Sequence, residues 1–390
     1  MQMLIRDVRI VDGGSVFAGS ILAEDGKIAA ILPPDARAEG AETVEGGGLY
    51  ASAGFIDCHT HGAGGHDFMD GTVEAFLGAC RMHLSHGTTT ILPTTLSAST
   101  GELVRSIAAF KEARALMAQE QCQPGMHLEG PYFAMNQKGG QDPRYIRDPD
   151  PAEYRRIVEL ADGAIVRWSI APERHGAMEM GDYLTAHGIW PTIGHTDATY
   201  DDCVEALRHG YTHITHLYSC TSTITRRGGF RILGVTESAY ALDGLTVEVI
   251  ADGCHLPPEL LRMIVKCKGV DRVIMVTDSL RPAGLDVRTA ISGSREDGQV
   301  CIIEDGVAKL PDRSAFAGSI ATADRLVRTM WKRAGVPLPD VIRMMCENPA
   351  RLLHLEGRKG RLLSGHDADI VLFDEDVRVH GVYYAGRRVS

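Results

Sequence analysis

Eight short apolar runs, separated by stretches with helical spacing, dominate the middle of this chain and limit what it can fold into. They read YASAGFIDCHTH, TTTILPTT, GMHLEG, AIVRWSIAPE, WPTIGHT, THITHLY, TVEVIADG and RVIMVTD. Runs this apolar suit strands buried on both faces, as in parallel sheets. Intervening segments such as GELVRSIAAFKEARALMAQEQ and TYDDCVEALRHG space their apolar residues as amphipathic helices do. Eight strand–helix units predict an α/β chain folded as a (β/α)8 TIM barrel, whose usual size is about 250 residues with room for insertions. The two ends have another texture. LIRDVRIV, the turn DGG and SILAEDGKIAAIL open the chain, while GRLLSGHDADIVLFD and VRVHGVYYAGRRV close it. These are β-rich segments broken by Gly turns. We expect residues 1–52 and 359–390 to pair as a small β-sandwich domain, with the barrel at 53–358.

Bulk properties remove several function classes. A net charge of −11 argues against general affinity for nucleic acid or anionic membrane. The opening MQMLIRDVRIVDGG has no uninterrupted apolar core, so neither a signal peptide nor a membrane span is expected there. Nine cysteines are scattered without a CxxC pair. That spacing suggests neither a disulfide framework nor a zinc ribbon, and fits a reducing cytoplasm.

Most of the apolar runs end alike. The first ends in His59 and His61, the third in Glu129, the fifth in His195 and the sixth in His216. The seventh ends in Asp252 with His255 just beyond, and the eighth in Asp278. In a closed parallel barrel the C-terminal strand ends open onto one face, so distant residues meet in one pocket. Carboxylates buried there without compensation would be costly. A divalent cation removes that cost, and the imidazole–carboxylate mixture favours zinc, with iron, manganese and cobalt as alternatives. The other histidines read as structural. His83 and His86 suit a solvent-facing or capping helix end, His127 suits core packing, and His213 points away from His216 in a regular strand.

The local motifs narrow the reading. HLEGP at 127–131, GHTDATYDD at 194–202, THLY at 215–218, ADGCH at 251–255 and VTDS at 276–279 resemble N-acetylglucosamine-6-phosphate deacetylases of the amidohydrolase superfamily. The resemblance extends to AGS at 317–319 and the closing ADIVLFD. It implies that Glu129, His195 and His216 hold the principal metal, with His59 and His61 available to a second ion. Other branches of the superfamily carry a lysine at the end of the fourth strand; AIVRWSIAPE has none.

The same resemblance implies the chemistry. Asp278 is the general acid/base for hydrolysing the N-acetyl amide of N-acetyl-D-glucosamine 6-phosphate to D-glucosamine 6-phosphate and acetate, in amino-sugar catabolism. Gly140, Gln141, Asp252, His255, Phe316, Ala317 and Gly318 are expected around the sugar, and Ser219 and Cys220 near the phosphate. Arg227 matches an arginine that relatives lend across a homodimer interface. The family more often has Asn-Ala-Met where this chain has Ser219, Cys220 and Thr221, and Leu-Ser in place of Phe316 and Ala317. An N-acetylgalactosamine 6-phosphate deacetylase, or one for another N-acylated amino sugar, is therefore the alternative. Another amidohydrolase or a non-catalytic scaffold comes last: the strand-four lysine is missing and HLEGP and ADGCH are present, against the first, and every ligand-type residue is kept, against the second.

Overall fold

The eight runs become eight strands in a computed structural model that describes residues 2–390. They are β1 (Phe55–Thr60), β2 (Thr88–Pro93), β3 (Met126–Glu129), β4 (Ile165–Ile170), β5 (Trp190–Ile193), β6 (His213–Ile214), β7 (Thr246–Ile250) and β8 (Val273–Val276). A helix follows each strand. In order these are α1 (Val73–Ser85), α2 (Thr100–Met117), α3 (Pro151–Ala161), α4 (Ala177–Ala186), α5 (Tyr200–Arg208), α6 (Val235–Ala241), α7 (Pro258–Lys268) and α8 (Ala323–Arg328).

Strands β3 to β8 form a six-stranded parallel sheet in chain order, and β1 and β2 form a parallel pair. Backbone hydrogen bonds tie that pair to both edges of the larger sheet. On one side Ile91 N donates to Cys122 O and Thr95 N to His127 O; on the other, Asp278 N donates to His59 O and His61 N to Ser279 O. All C-terminal strand ends therefore lie on one face. Every residue of β1, β2, β3 and β8 is buried, which is why these runs lack polar alternation.

The helices start where their sequences say they should. Ser99 and Glu102 form a capping box on α2, and Thr199 and Asp202 form one on α5, satisfying backbone N–H groups that have no partner within the helix. Phe68, Phe76 and Phe110 pack tilted, with ring centroids 4.8 and 5.9 Å apart, and are fully buried. Each such ring contributes about 1.5–3 kcal/mol of burial.

Both chain ends enter one sheet. Ile370–Phe373 runs antiparallel to Tyr50–Ala53, which pairs with Gln2–Asp12, followed by Ser15–Glu24 and Lys27–Leu32. Two features are additional to the expected pattern. Residues in the TRRGGFR segment form a short exposed hairpin, Thr225–Arg227 with Phe230–Ile232. After β8, four antiparallel strands, Thr289–Ser292, Gln299–Glu304, Val307–Lys309 and Phe316–Gly318, make a separate small sheet. Its central turn uses Asp305 and Gly306, both at positive φ (54° and 77°), the geometry a tight hairpin requires. No helix among the described residues is long and apolar enough to cross a membrane.

Candidate metal centre

The strand ends bring Glu129, His59, His61, His195, His216 and Asp278 together. Glu129 Oε1 lies 3.1 Å from His195 Nε2, 3.0 Å from His216 Nε2 and 3.5 Å from His59 Nε2. Its other oxygen lies 3.3 Å from His61 Nε2. Asp278 Oδ1 stands 3.0 Å from His61 Nε2 and 3.3 Å from His59 Nε2. Two ligand groups thus share Glu129: one with His59 and His61, the other with His195 and His216.

Three of these residues occupy the same local position. His195, His216 and Asp278 each lie two residues past the end of their strand and have positive φ (47°, 30° and 46°). That left-handed conformation costs a non-glycine residue about 1–2 kcal/mol. It turns each side chain off the strand line, His195 and His216 toward Glu129 and Asp278 toward His59 and His61. Gln141 steadies the shared carboxylate by donating Nε2–H to Glu129 Oε2 at 2.6 Å, while its own Oε1 accepts from Ser97 N.

The donor set fits a divalent cation. His61, His195 and His216 turn Nδ1 toward the backbone carbonyls of Thr94, Gln137 and Ser219, at 3.3, 2.8 and 2.9 Å. With the proton on Nδ1, each Nε2 offers a lone pair. His195 and His216 then bring two such nitrogens within 3.2 Å of each other, and buried His59 Nε2 has no hydrogen-bond partner. Converging acceptors of this kind, nitrogen and carboxylate oxygen, form a metal-ligand set.

Electrostatics agree. Burial opposes every charge here, yet the charges of Asp278, Glu248 and Glu129 raise His59 to about 9. His61 goes up to about 10, against burial, through hydrogen bonds to Asp278 and Glu129. Burial likewise opposes ionisation of Glu129, but the charges of His59 and His195 hold its carboxyl well below the usual range. In the metal-free protein, protons fill the role that a cation takes over.

A cavity of about 260 Å³ opens above these groups. Gly140, Gln141, Ser219, Cys220, His255, Phe316, Ala317 and Gly318 all line it. Asp252 is buried one step away and accepts from His255 Nδ1 at 2.8 Å, orienting that ring. Phe316 lies edge-on to His255, with centroids 4.9 Å apart. Arg227 is exposed on its hairpin and does not line the cavity of its own chain.

Three histidines outside the centre complete the comparison with sequence. His83, expected at a solvent-facing or capping helix end, is instead fully buried, with Nε2 2.9 Å from Thr60 Oγ1. The helical repeat of α1 turns it toward β1, where the Thr60 hydroxyl meets its Nε2. His127 is core, as expected, and stacks edge-on against His59 at 4.6 Å. His213 turns away from the ligands and reaches Glu248. Strand ends alone do not point to Glu248 and Arg167, which lie inside their strands. One signal existed for Glu248: it precedes Asp252 by four residues and so shares its face of the strand.

Comparisons with known proteins place the chain in a family. A model of the amidohydrolase family matches residues 50–389. The N-acetylglucosamine-6-phosphate deacetylase of Lysinibacillus sphaericus is 31% identical, over 99% of this chain and 97% of its own length. That of Bacillus subtilis (strain 168) is 30% identical, over 97% and 94%. Among solved structures, a mutant N-acetyl-D-glucosamine-6-phosphate deacetylase from Mycobacterium smegmatis, in complex with N-acetyl-D-glucosamine-6-phosphate, superposes with a TM-score of 0.90. It is 29% identical and covers 100% of this chain and 99% of its own. The chain belongs to the amidohydrolase family and, within it, to the N-acetylglucosamine-6-phosphate deacetylases.

Proposed function

We propose that this protein hydrolyses the N-acetyl amide of N-acetyl-D-glucosamine 6-phosphate, giving D-glucosamine 6-phosphate and acetate. The observation that carries the reading is the set of four imidazoles and two carboxylates that converge, all but His59 lining one cavity. The named relatives act in the same sense.

In this reading Glu129, His195 and His216 hold one ion, and His59 and His61 with Glu129 hold a second, zinc being the preferred metal. When bound there, a divalent cation polarises a carbonyl oxygen and makes water a better acid. Asp278 moves the proton. Although burial opposes its ionisation, the charge of His59 and the hydrogen bond to His61 lower its pKa, so it enters the reaction as a base. It takes a proton from the attacking water and passes it to the sugar nitrogen as the carbon–nitrogen bond breaks. His255, its Nδ1–H taken by Asp252, donates Nε2–H to the substrate's acyl oxygen in its doubly protonated form.

Gly140, Gln141, Phe316, Ala317 and Gly318 enclose the sugar, and Ser219 and Cys220 lie on the phosphate side. None of the described cavity-lining residues is a lysine or arginine, and Arg227 is exposed outside its own cavity. Both facts support a homodimer in which Arg227 reaches the partner's phosphate, where its fork suits a phosphate. We further read 53–358 as one closed (β/α)8 barrel, and 1–52 with 359–390 as a β-sandwich domain. The nine free cysteines support a reducing cytoplasm.

Phe316, set against His255 at the cavity wall, favours a second reading in which the galactosamine epimer or another N-acylated sugar is preferred. Acetate release from N-acetylglucosamine 6-phosphate, its galactosamine epimer and unphosphorylated N-acetylglucosamine, with zinc supplied, decides. The proposal expects the first to dominate; failure of all three would remove it.

A further inference from the structure

Beneath the metal centre lies a buried ion pair that the proposed chemistry does not use. Glu248 on β7 and Arg167 on β4 are both fully buried, with Arg167 Nη1 2.7 Å from Glu248 Oε2. The other oxygen of Glu248 lies 2.7 Å from His59 Nδ1 and accepts from the backbone N–H of His216 at 3.1 Å. One carboxylate therefore touches a ligand from each half of the centre. Arg167 is itself fixed. It donates to Cys58 O at 3.2 Å and to Thr215 Oγ1 at 2.9 Å, and lies 5.5 Å from the Trp190 ring centroid.

His59 differs from the other three imidazoles in its partner. They turn Nδ1 to backbone carbonyls, whereas His59 turns it to a carboxylate. A hydrogen bond to an ionised acceptor is shorter and about twice as strong as a neutral one. A carboxylate on the far nitrogen of a metal-binding histidine fixes the tautomer and the ring orientation, and makes the near nitrogen a better donor.

Resting on the metal-centre reading above, we propose that Glu248, held by Arg167, is a positioning residue for His59. It accepts Nδ1–H, leaves Nε2 as the lone pair facing Glu129 and Asp278, and so sets the affinity of the His59–His61–Glu129 half of the centre. A purely structural role predicts something else. A buried ion pair stabilises little compared with apolar replacements, so removing both charges would then leave metal binding intact.

The test is zinc binding by chelator-stripped protein, followed by titration calorimetry, for wild type, E248Q and the double variant R167M/E248Q. The double variant leaves no unpaired charge and so guards against simple misfolding of E248Q. Wild type should bind two ions. Both variants should keep the ion at Glu129, His195 and His216 and lose about 10- to 100-fold in affinity for the other. Wild type binding two ions while both variants bind the same two as tightly overturns the inference alone. Wild type binding only one ion also overturns it, and wild type binding none removes the metal-centre reading as well. Ring nitrogen NMR shifts on the unmutated, zinc-loaded protein give a reading independent of any variant. The inference requires His59 to carry its proton on Nδ1 and the metal on Nε2; the reverse would overturn it.

Discussion

His195 Nε2 and His216 Nε2 stand 3.2 Å apart, each ring holding its Nδ1 against a backbone carbonyl. Two nitrogen lone pairs at that distance repel unless a proton or a cation lies between them and Glu129. Metal loading must therefore displace protons. Because His59 and His61 are raised to about 9 and about 10, both are protonated at pH 7 in the metal-free chain. Apparent metal affinity should rise with pH until it passes through those values, and fall as pH drops below 7. Calorimetry of zinc binding in buffers of different ionisation enthalpy measures the released protons; zero release at pH 7 would contradict this.

Asp278→Asn removes the proton carrier but keeps its shape. The variant should lose about 10²- to 10⁴-fold in kcat while metal content stays within error of wild type. Acetate assays paired with elemental analysis check both halves. Equal activity in the variant would take the acid/base role away from Asp278.

Much of this centre could be read from the chain because these parallel strands are mostly apolar, so the polar residue that ends a run stands out. His59, Glu129, His195, His216 and Asp278 all announced themselves that way. Glu248 and Arg167 did not, because each is one polar residue inside an apolar strand, and only the fold places them opposite each other. The four-stranded sheet at 289–318 was also missed. Its CIIEDGVAKL hairpin has strand alternation, but nothing in a strand–helix repeat calls for it. His83 was misjudged because a histidine near a helix end carries no mark of the hydroxyl it meets across the helix–strand contact.

The junction between the terminal sheet and the first parallel strand is tight. A Cβ on Gly54 would lie 2.0 Å from Thr89 Oγ1 and 2.8 Å from Thr89 Cβ. Thr89 is buried and β-branched, so it has little room to turn away. Gly54→Ala should destabilise by about 1–3 kcal/mol, seen as a lower urea midpoint with unchanged slope. A neutral result would mean that the two sheets shift past each other freely.

Acid should loosen the contact between the chain ends. Burial pushes the Asp367 carboxyl up, but the hydrogen bond from Lys27, at 2.5 Å, and the charge of Lys359 bring it down to about 2. A depressed folded-state value means stabilisation that is complete above pH 3.8 and lost as pH falls through about 2. The amount is about 1–2 kcal/mol after allowing for solvent screening. Wild type and Asp367→Asn should therefore differ in urea stability at pH 6 and converge near pH 2. A gap that persists at pH 2 would assign the effect to packing.

The most direct test of a metal-dependent deacetylase centre is a zinc titration of metal-stripped protein, with acetate release from N-acetylglucosamine 6-phosphate as the readout. Turnover should be absent without metal, rise with added zinc and level off by about two equivalents, one for each ligand group around Glu129. Full activity in stripped protein, or zinc bound with no acetate formed, would contradict it.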